Sequence, residues 1–153
     1  MKQLQDKIAI VTGASSGIGK SIATAFAAEG ASVVLASRRK EKLDEVAAAI
    51  RGKGGIARVV LTDVTVEAQV SSLFEEVREQ FGRLDILVNN AGISQGGPPD
   101  EISLETWQRV VDLNLTAPFL CSREAFRLMK LQRSGRIINI GSVSAKVPRP
   151  QSA

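Results

Sequence analysis

Residues 7–19 read KIAIVTGASSGIG. Lys7–Thr12 is a short apolar run rich in Ile and Val, the pattern of a buried strand. It runs straight into Thr12-Gly13-Ala14-Ser15-Ser16-Gly17-Ile18-Gly19, and a helix is expected from Ile18 to Glu29. Glycines permit the tight turn and let the backbone approach a ligand, while Gly19 lets the helix pack against the strand. Ser15, Ser16 and their neighbours offer hydroxyls and N–H groups, and the free N–H groups and dipole at a helix start favour a pyrophosphate. A glycine-rich turn that binds nothing is the alternative. The strand-then-helix setting near the start of the chain favours the phosphate loop.

Outward from that stretch, apolar runs alternate with amphipathic ones. Strands are expected at Lys7–Thr12, Ser32–Ser37, Ala57–Leu61, Leu84–Asn89 and Arg136–Ile140, several of them Val/Ile-rich without polar alternation. That is the composition of parallel strands covered on both faces. Helices are expected at Ile18–Glu29, Lys40–Arg51, Glu67–Phe81 and Leu104–Lys130; in the third, Val70, Leu73, Phe74, Val77 and Phe81 share one face. Gly30, Gly52 and Gly82 fall just past helix ends, where a left-handed cap is expected. The β-α-β-α order specifies a doubly wound, Rossmann-like α/β fold: about five parallel strands between two helical layers, with residues 1–153 forming one cofactor-binding domain.

The end of the second strand tests the cofactor. A carboxylate there would hold the adenosine ribose 2′-OH of NAD(H). The chain has Ala36-Ser37-Arg38-Arg39 instead. A small hydroxyl followed by guanidinium groups suits a 2′-phosphate, because arginine makes bidentate, charge-assisted bonds to phosphate. A solvated basic turn opening a helix is the other reading. NADP(H) is favoured over NAD(H).

With these motifs in order, the whole chain resembles the short-chain dehydrogenase/reductase family. Thr12-Gly13-x-x-x-Gly17-Ile18-Gly19 is similar to its cofactor loop, and Asp63-Val64 to the pair that contacts adenine. Asn89-Asn90-Ala91-Gly92 matches the family's NNAG motif, Asn114 its helix asparagine and Ser142 its catalytic serine. Singly, Asp63 also reads as a helix cap and Asn89 as a satisfier of buried backbone. The resemblance implies a homo-oligomer, dimer or tetramer, for full-length members, and hydride transfer between nicotinamide and an alcohol or carbonyl substrate. Ser142 would bond the carbonyl oxygen. The Asn114 carbonyl would hold a water of a proton relay. Pro118, four residues on, lacks the N–H that a regular helix would direct to that carbonyl. A plain proline kink is the alternative.

The departure lies at the end. A tyrosine with a lysine four residues beyond completes the family's catalytic set; it is expected near position 155, and the chain ends at Ala153 with no tyrosine or histidine. Lys146–Ala153 reads as the approach to that motif, so the chain is expected to be incomplete at its C-terminus, marginally folded or associating alone, and without normal turnover. Strand five would then be an open edge. The helix from Leu104 carries Trp107, Val110, Val111, Leu115, Leu120, Phe126 and Leu128 over more than one face, which anticipates a partner. A non-catalytic nucleotide-binding or regulatory module that associates with other subunits is the second reading.

Composition closes other routes. The net charge of +4 comes without a basic block interleaved with aromatics, so no nucleic-acid partner is expected. No apolar run approaches the roughly 20 residues of a membrane span. Cys121, the single cysteine, cannot form an internal disulfide and fits a reducing cytoplasm. No metal site is expected, and the substrate's identity is not readable from these residues.

Overall fold

The computed structural model describes residues 2–95, 97–98 and 100–142. The expected approach segment, Lys146–Ala153, lies outside the described residues, as do Gly96 and Pro99 of the Gly/Pro loop. Five strands, β1 (Ile8–Thr12), β2 (Ser32–Ser37), β3 (Ile56–Leu61), β4 (Ile86–Asn89) and β5 (Arg136–Asn139), form one parallel sheet in the order β3-β2-β1-β4-β5. Helices α1 (Gly17–Ala28), α2 (Lys40–Arg51), α3 (Glu67–Phe81), α4 (Leu104–Val111) and α5 (Ala117–Gln132) connect them. This is the doubly wound α/β fold expected from the alternation.

Because side chains alternate across a strand, the sheet sorts its residues into two cores. Ile8 and Ile10 of β1 point to one side, where Val70, Leu73, Phe74 and Val77 of α3 meet Leu120 and Ala125 of α5. Ala9 and Val11 point to the other, against Ala23 and Ala27 of α1 and Leu43, Val46 and Ile50 of α2. Central β1 is buried along its whole length, whereas every residue of β5, at the edge, is exposed. All five C-terminal strand ends lie along one edge of the sheet. The chain winds outward in opposite directions from β1 and β4, so a crevice opens above their ends, where such sheets bind ligands.

Boundaries shift where side chains capture the backbone. Leu84 was expected in the fourth strand, but its N–H and C=O are held by the Gln132 amide (3.3 and 2.5 Å). Asp85 follows it, its buried carboxylate accepting from the Ile8 N–H (2.9 Å), Arg83 (2.5 and 3.1 Å) and Lys7 (3.4 Å). That cluster pins the bottom of β1 against β4. Gly82 caps α3 in the left-handed conformation, but Gly52 continues α2 in right-handed geometry (φ −61°) and the reversal falls on Gly54 (φ +77°). The single helix expected over Leu104–Lys130 is three segments. Between α4 and α5 lies a π-helical turn, Asp112–Thr116, in which the Ala117 N–H bonds the Asp112 carbonyl five residues back. Widening the turn there accommodates Pro118, which offers no N–H to Asn114.

Candidate functional site

The crevice above β1 and β4 holds a cavity of about 360 Å³. One wall is the loop from β1 to α1. Gly13 has φ +64°, and a Cβ on it would lie 2.9 Å from both the Ala91 Cα and the Asn90 Nδ2. A Cβ on Gly19 would lie 2.4 Å from the same Nδ2 and 2.5 Å from the Gly13 carbonyl oxygen. Gly13 and Gly19 therefore let the loop close against Asn90; Gly17 (φ +54°) has open space around it and is required for its backbone conformation. The Ser16 side chain, at the N-cap of α1, makes no capping bond, and no acidic residue sits in the first turn. The helix start is thus open to an anion.

The opposite wall is fastened to the loop. Asn90 Nδ2 donates to the Thr12 and Gly13 carbonyls (2.9 and 3.4 Å). The buried Thr12 hydroxyl accepts the N–H groups of Asn90 and Ala91 (both 3.0 Å) and donates to the Val88 carbonyl (3.3 Å). The signal for Thr12 in the sequence is a hydroxyl on the last residue of a strand, directly before a glycine turn. Asn90, Ala91, Gly92, Ile93 and Leu113 complete this side of the cavity.

At the β2 end, Ser37, Arg38 and Arg39 line the cavity with Ser15, Ser16, Ile18, Asp63 and Val64. The Ser15 and Ser37 hydroxyls lie 2.9 Å apart. The Arg39 guanidinium donates to Ser15 (2.9 and 3.2 Å) and to Ser16 (2.6 Å). Arg38 turns the other way and pairs with Asp63 at 3.6 Å. Partial burial alone would raise the Asp63 carboxyl's pKa, but bonds from Thr65 and the Arg38 charge outweigh it and hold the carboxyl below its usual range.

Asn114 and Ser142 lie outside the lining of this cavity but at the same edge of the sheet. The Asn114 side chain grips the backbone of Ile93 on both sides: its Oδ1 accepts the N–H (3.0 Å) and its Nδ2 donates to the C=O (2.8 Å). A Cβ on Gly92 would sit 3.1 Å from that Oδ1. Its main-chain carbonyl lies in the π turn, where Pro118 has no N–H to offer it. Ser142 follows β5, whose Ile140 N–H still bonds the Asn89 carbonyl (2.9 Å). Beneath them Asn89 Nδ2 donates to Asn139 Oδ1 (2.8 Å) and the Ser122 hydroxyl (3.0 Å), tying β4 to β5 and α5. Ser122 and Asn139 were not anticipated, because nothing local marks a buried polar bridge between elements far apart in sequence.

Comparison with known proteins bears on the family of the chain. The family described as short chain dehydrogenase matches residues 7–153. The chain belongs to the short chain dehydrogenase family. It is 44% identical over 144 residues to the uncharacterized oxidoreductase YxjF of Bacillus subtilis, covering 94% of this chain and 56% of the relative. It is 42% identical to glucose 1-dehydrogenase 2 of the same organism, covering 97% and 59%. A crystal structure of a short-chain type dehydrogenase/reductase from Mycobacterium marinum superposes with TM-score 0.93 at 39% identity, over 97% of this chain and 59% of that one. The chain therefore spans somewhat over half the length of these family members.

Among the described residues no three His, Cys, Asp or Glu side chains gather as a metal site, and no helix is long and apolar enough to cross a membrane. Cys121 is buried, and burial, with the nearby Glu124 charge, pushes its thiol up to about 12, far from a reactive thiolate.

Proposed function

We propose that this chain is the cofactor-binding part of an NADP(H)-dependent oxidoreductase that interconverts an alcohol and a carbonyl. The observation that carries the reading is the corner at which Ser15 and Ser16 hold the Arg39 guanidinium beside the glycine loop, with the Ser37 hydroxyl 2.9 Å from that of Ser15. The loop and the uncapped start of α1 fit a pyrophosphate. One strand outward, the hydroxyls and Arg39 fit a phosphate on the adenosine ribose, with no carboxylate at the end of β2 to repel it. Asp63 and Val64 would border the adenine. Asn90, Ala91 and Gly92 would line the path toward the nicotinamide.

A nicotinamide held there would supply the hydride chemistry that no side chain can. On this reading the Ser142 hydroxyl bonds and orients the substrate's carbonyl oxygen, and the Asn114 carbonyl holds a water of the proton path. In the family's pattern a tyrosine is the proton donor, and these 153 residues contain no tyrosine. The substrate is proposed only as a class, a small alcohol or ketone, and the setting as the cytoplasm.

Titration of the protein with NADPH and NADH, followed by nicotinamide fluorescence, tests the reading. NADPH is expected to bind at least about tenfold more tightly, a difference of roughly 1.4 kcal/mol. Equal affinities would remove the NADP(H) preference, and no binding of either would remove the cofactor assignment.

A further inference from the structure

A second cavity, of about 390 Å³, adjoins the first and shares Arg38, Ile93 and Leu113 with it. Its far side is Thr65 from the β3–α3 loop and one face of α4, with Glu105, Gln108, Arg109 and Asp112. Thr65 follows directly on Asp63-Val64, so this chamber begins where the adenine pocket of the reading above ends. The lining is of mixed sign: two guanidinium groups, two carboxylates and an amide, over apolar Ile93 and Leu113. Phosphate would meet Glu105 and Asp112 unfavourably. A purine edge would not, because the outer edge of adenine presents an amino donor at N6 beside a ring-nitrogen acceptor at N7, matched by carboxylates and guanidinium groups respectively. Size agrees, since a cavity of roughly 150 Å³ holds a benzene ring.

We propose that this second cavity is an annex of the cofactor site that receives the outer edge of the adenine and has room for a bulky substituent on its N6. The inference rests on the NADP(H) reading. It assigns the annex an adenine dinucleotide extended at the base, with Arg38, paired to Asp63, standing at the partition between the chambers.

The test compares NADPH with N6-benzyl-NADPH on the intact protein by fluorescence titration. The two are expected to bind within about tenfold of each other. Gln108 is an exposed residue of α4 whose amide reaches Asp112 at 2.8 Å, and it takes no part in the cofactor cavity. Gln108→Trp fills the annex, so it should weaken the benzyl analogue at least about tenfold more than it weakens NADPH. Gln108→Ala, which empties rather than fills the chamber, should leave both ligands bound. NADPH binding with the analogue rejected by more than about tenfold would overturn the annex alone, as would Gln108→Trp weakening both ligands equally or neither. Failure of NADPH itself to bind would remove the cofactor reading and the annex with it.

Discussion

Arg38 and Arg39 are adjacent and chemically identical, yet they end in different company. Arg39 is held over the glycine loop by two serine hydroxyls, and Arg38 is drawn aside by Asp63. The sequence shows two cations at the end of β2 and cannot rank them, because the partners that separate them come from loops on other strands. Arg39→Ala is therefore expected to weaken NADPH about 10- to 100-fold, with NADH changed by no more than about threefold. Arg38→Ala should do less, since Arg38 must first leave Asp63. The glycines divide similarly. Gly19→Ala forces a methyl against Asn90 and the Gly13 carbonyl, and is expected to cost about 1–3 kcal/mol in urea denaturation. Gly17→Ala meets no atom and should cost about 1 kcal/mol through its positive φ. Asp85 acts by charge. Burial alone would raise its pKa, but the bonds from Arg83 and the Ile8 N–H and the charges of Arg83 and Lys7 hold it below the ordinary value. A carboxyl lowered on folding adds stability above its unfolded pKa, about 3.9, and that stability is lost as pH falls below it. Asp85→Asn should lower the urea midpoint at neutral pH and flatten the acid limb of the stability profile, and an unchanged limb would count against this role.

The strands and the first three helices were legible because each satisfies itself locally: an apolar run, a 3.6-residue stripe, a glycine or basic turn at the end. The long helix from Leu104 was not, because a π turn depends on which carbonyl each N–H finds. Pro118 was the visible clue, and it read as a carbonyl without a donor rather than as a change of helical pitch. The turn also presents Asn114 to Ile93, a pairing between elements that no local pattern announces. Asn114→Ala would leave the Ile93 N–H and C=O without these partners, at an expected cost of about 1–3 kcal/mol. Hydrogen exchange at the Ile93 amide would accelerate, and unchanged protection would show that the clamp is not what orders that segment.

Across the molecule, apolar side chains gather uncovered on α4, the π turn and α5. Leu104 (78% exposed), Trp107, Leu115, Phe119 and Phe126 are all exposed along α4, the π turn and α5, and the sheet edge at β5 leaves Ile137 and Ile138 partly bare. Apolar side chains repeated along one helical run are what a second copy would cover. Light scattering is expected to show self-association that Phe119→Glu reduces, with the emission of Trp107, the single tryptophan, shifting to the red on dissociation. A monomer at all concentrations would refute this. The cavity above β1 and β4 also spans the molecule. Its walls come from two consecutive parts of the chain, Gly13 to Val64 and Asn90 to Leu113, and the Thr12 hydroxyl and Asn90 amide are the stitches between them. A ligand bound across both parts would hold them together and raise the unfolding midpoint in proportion to the logarithm of its concentration.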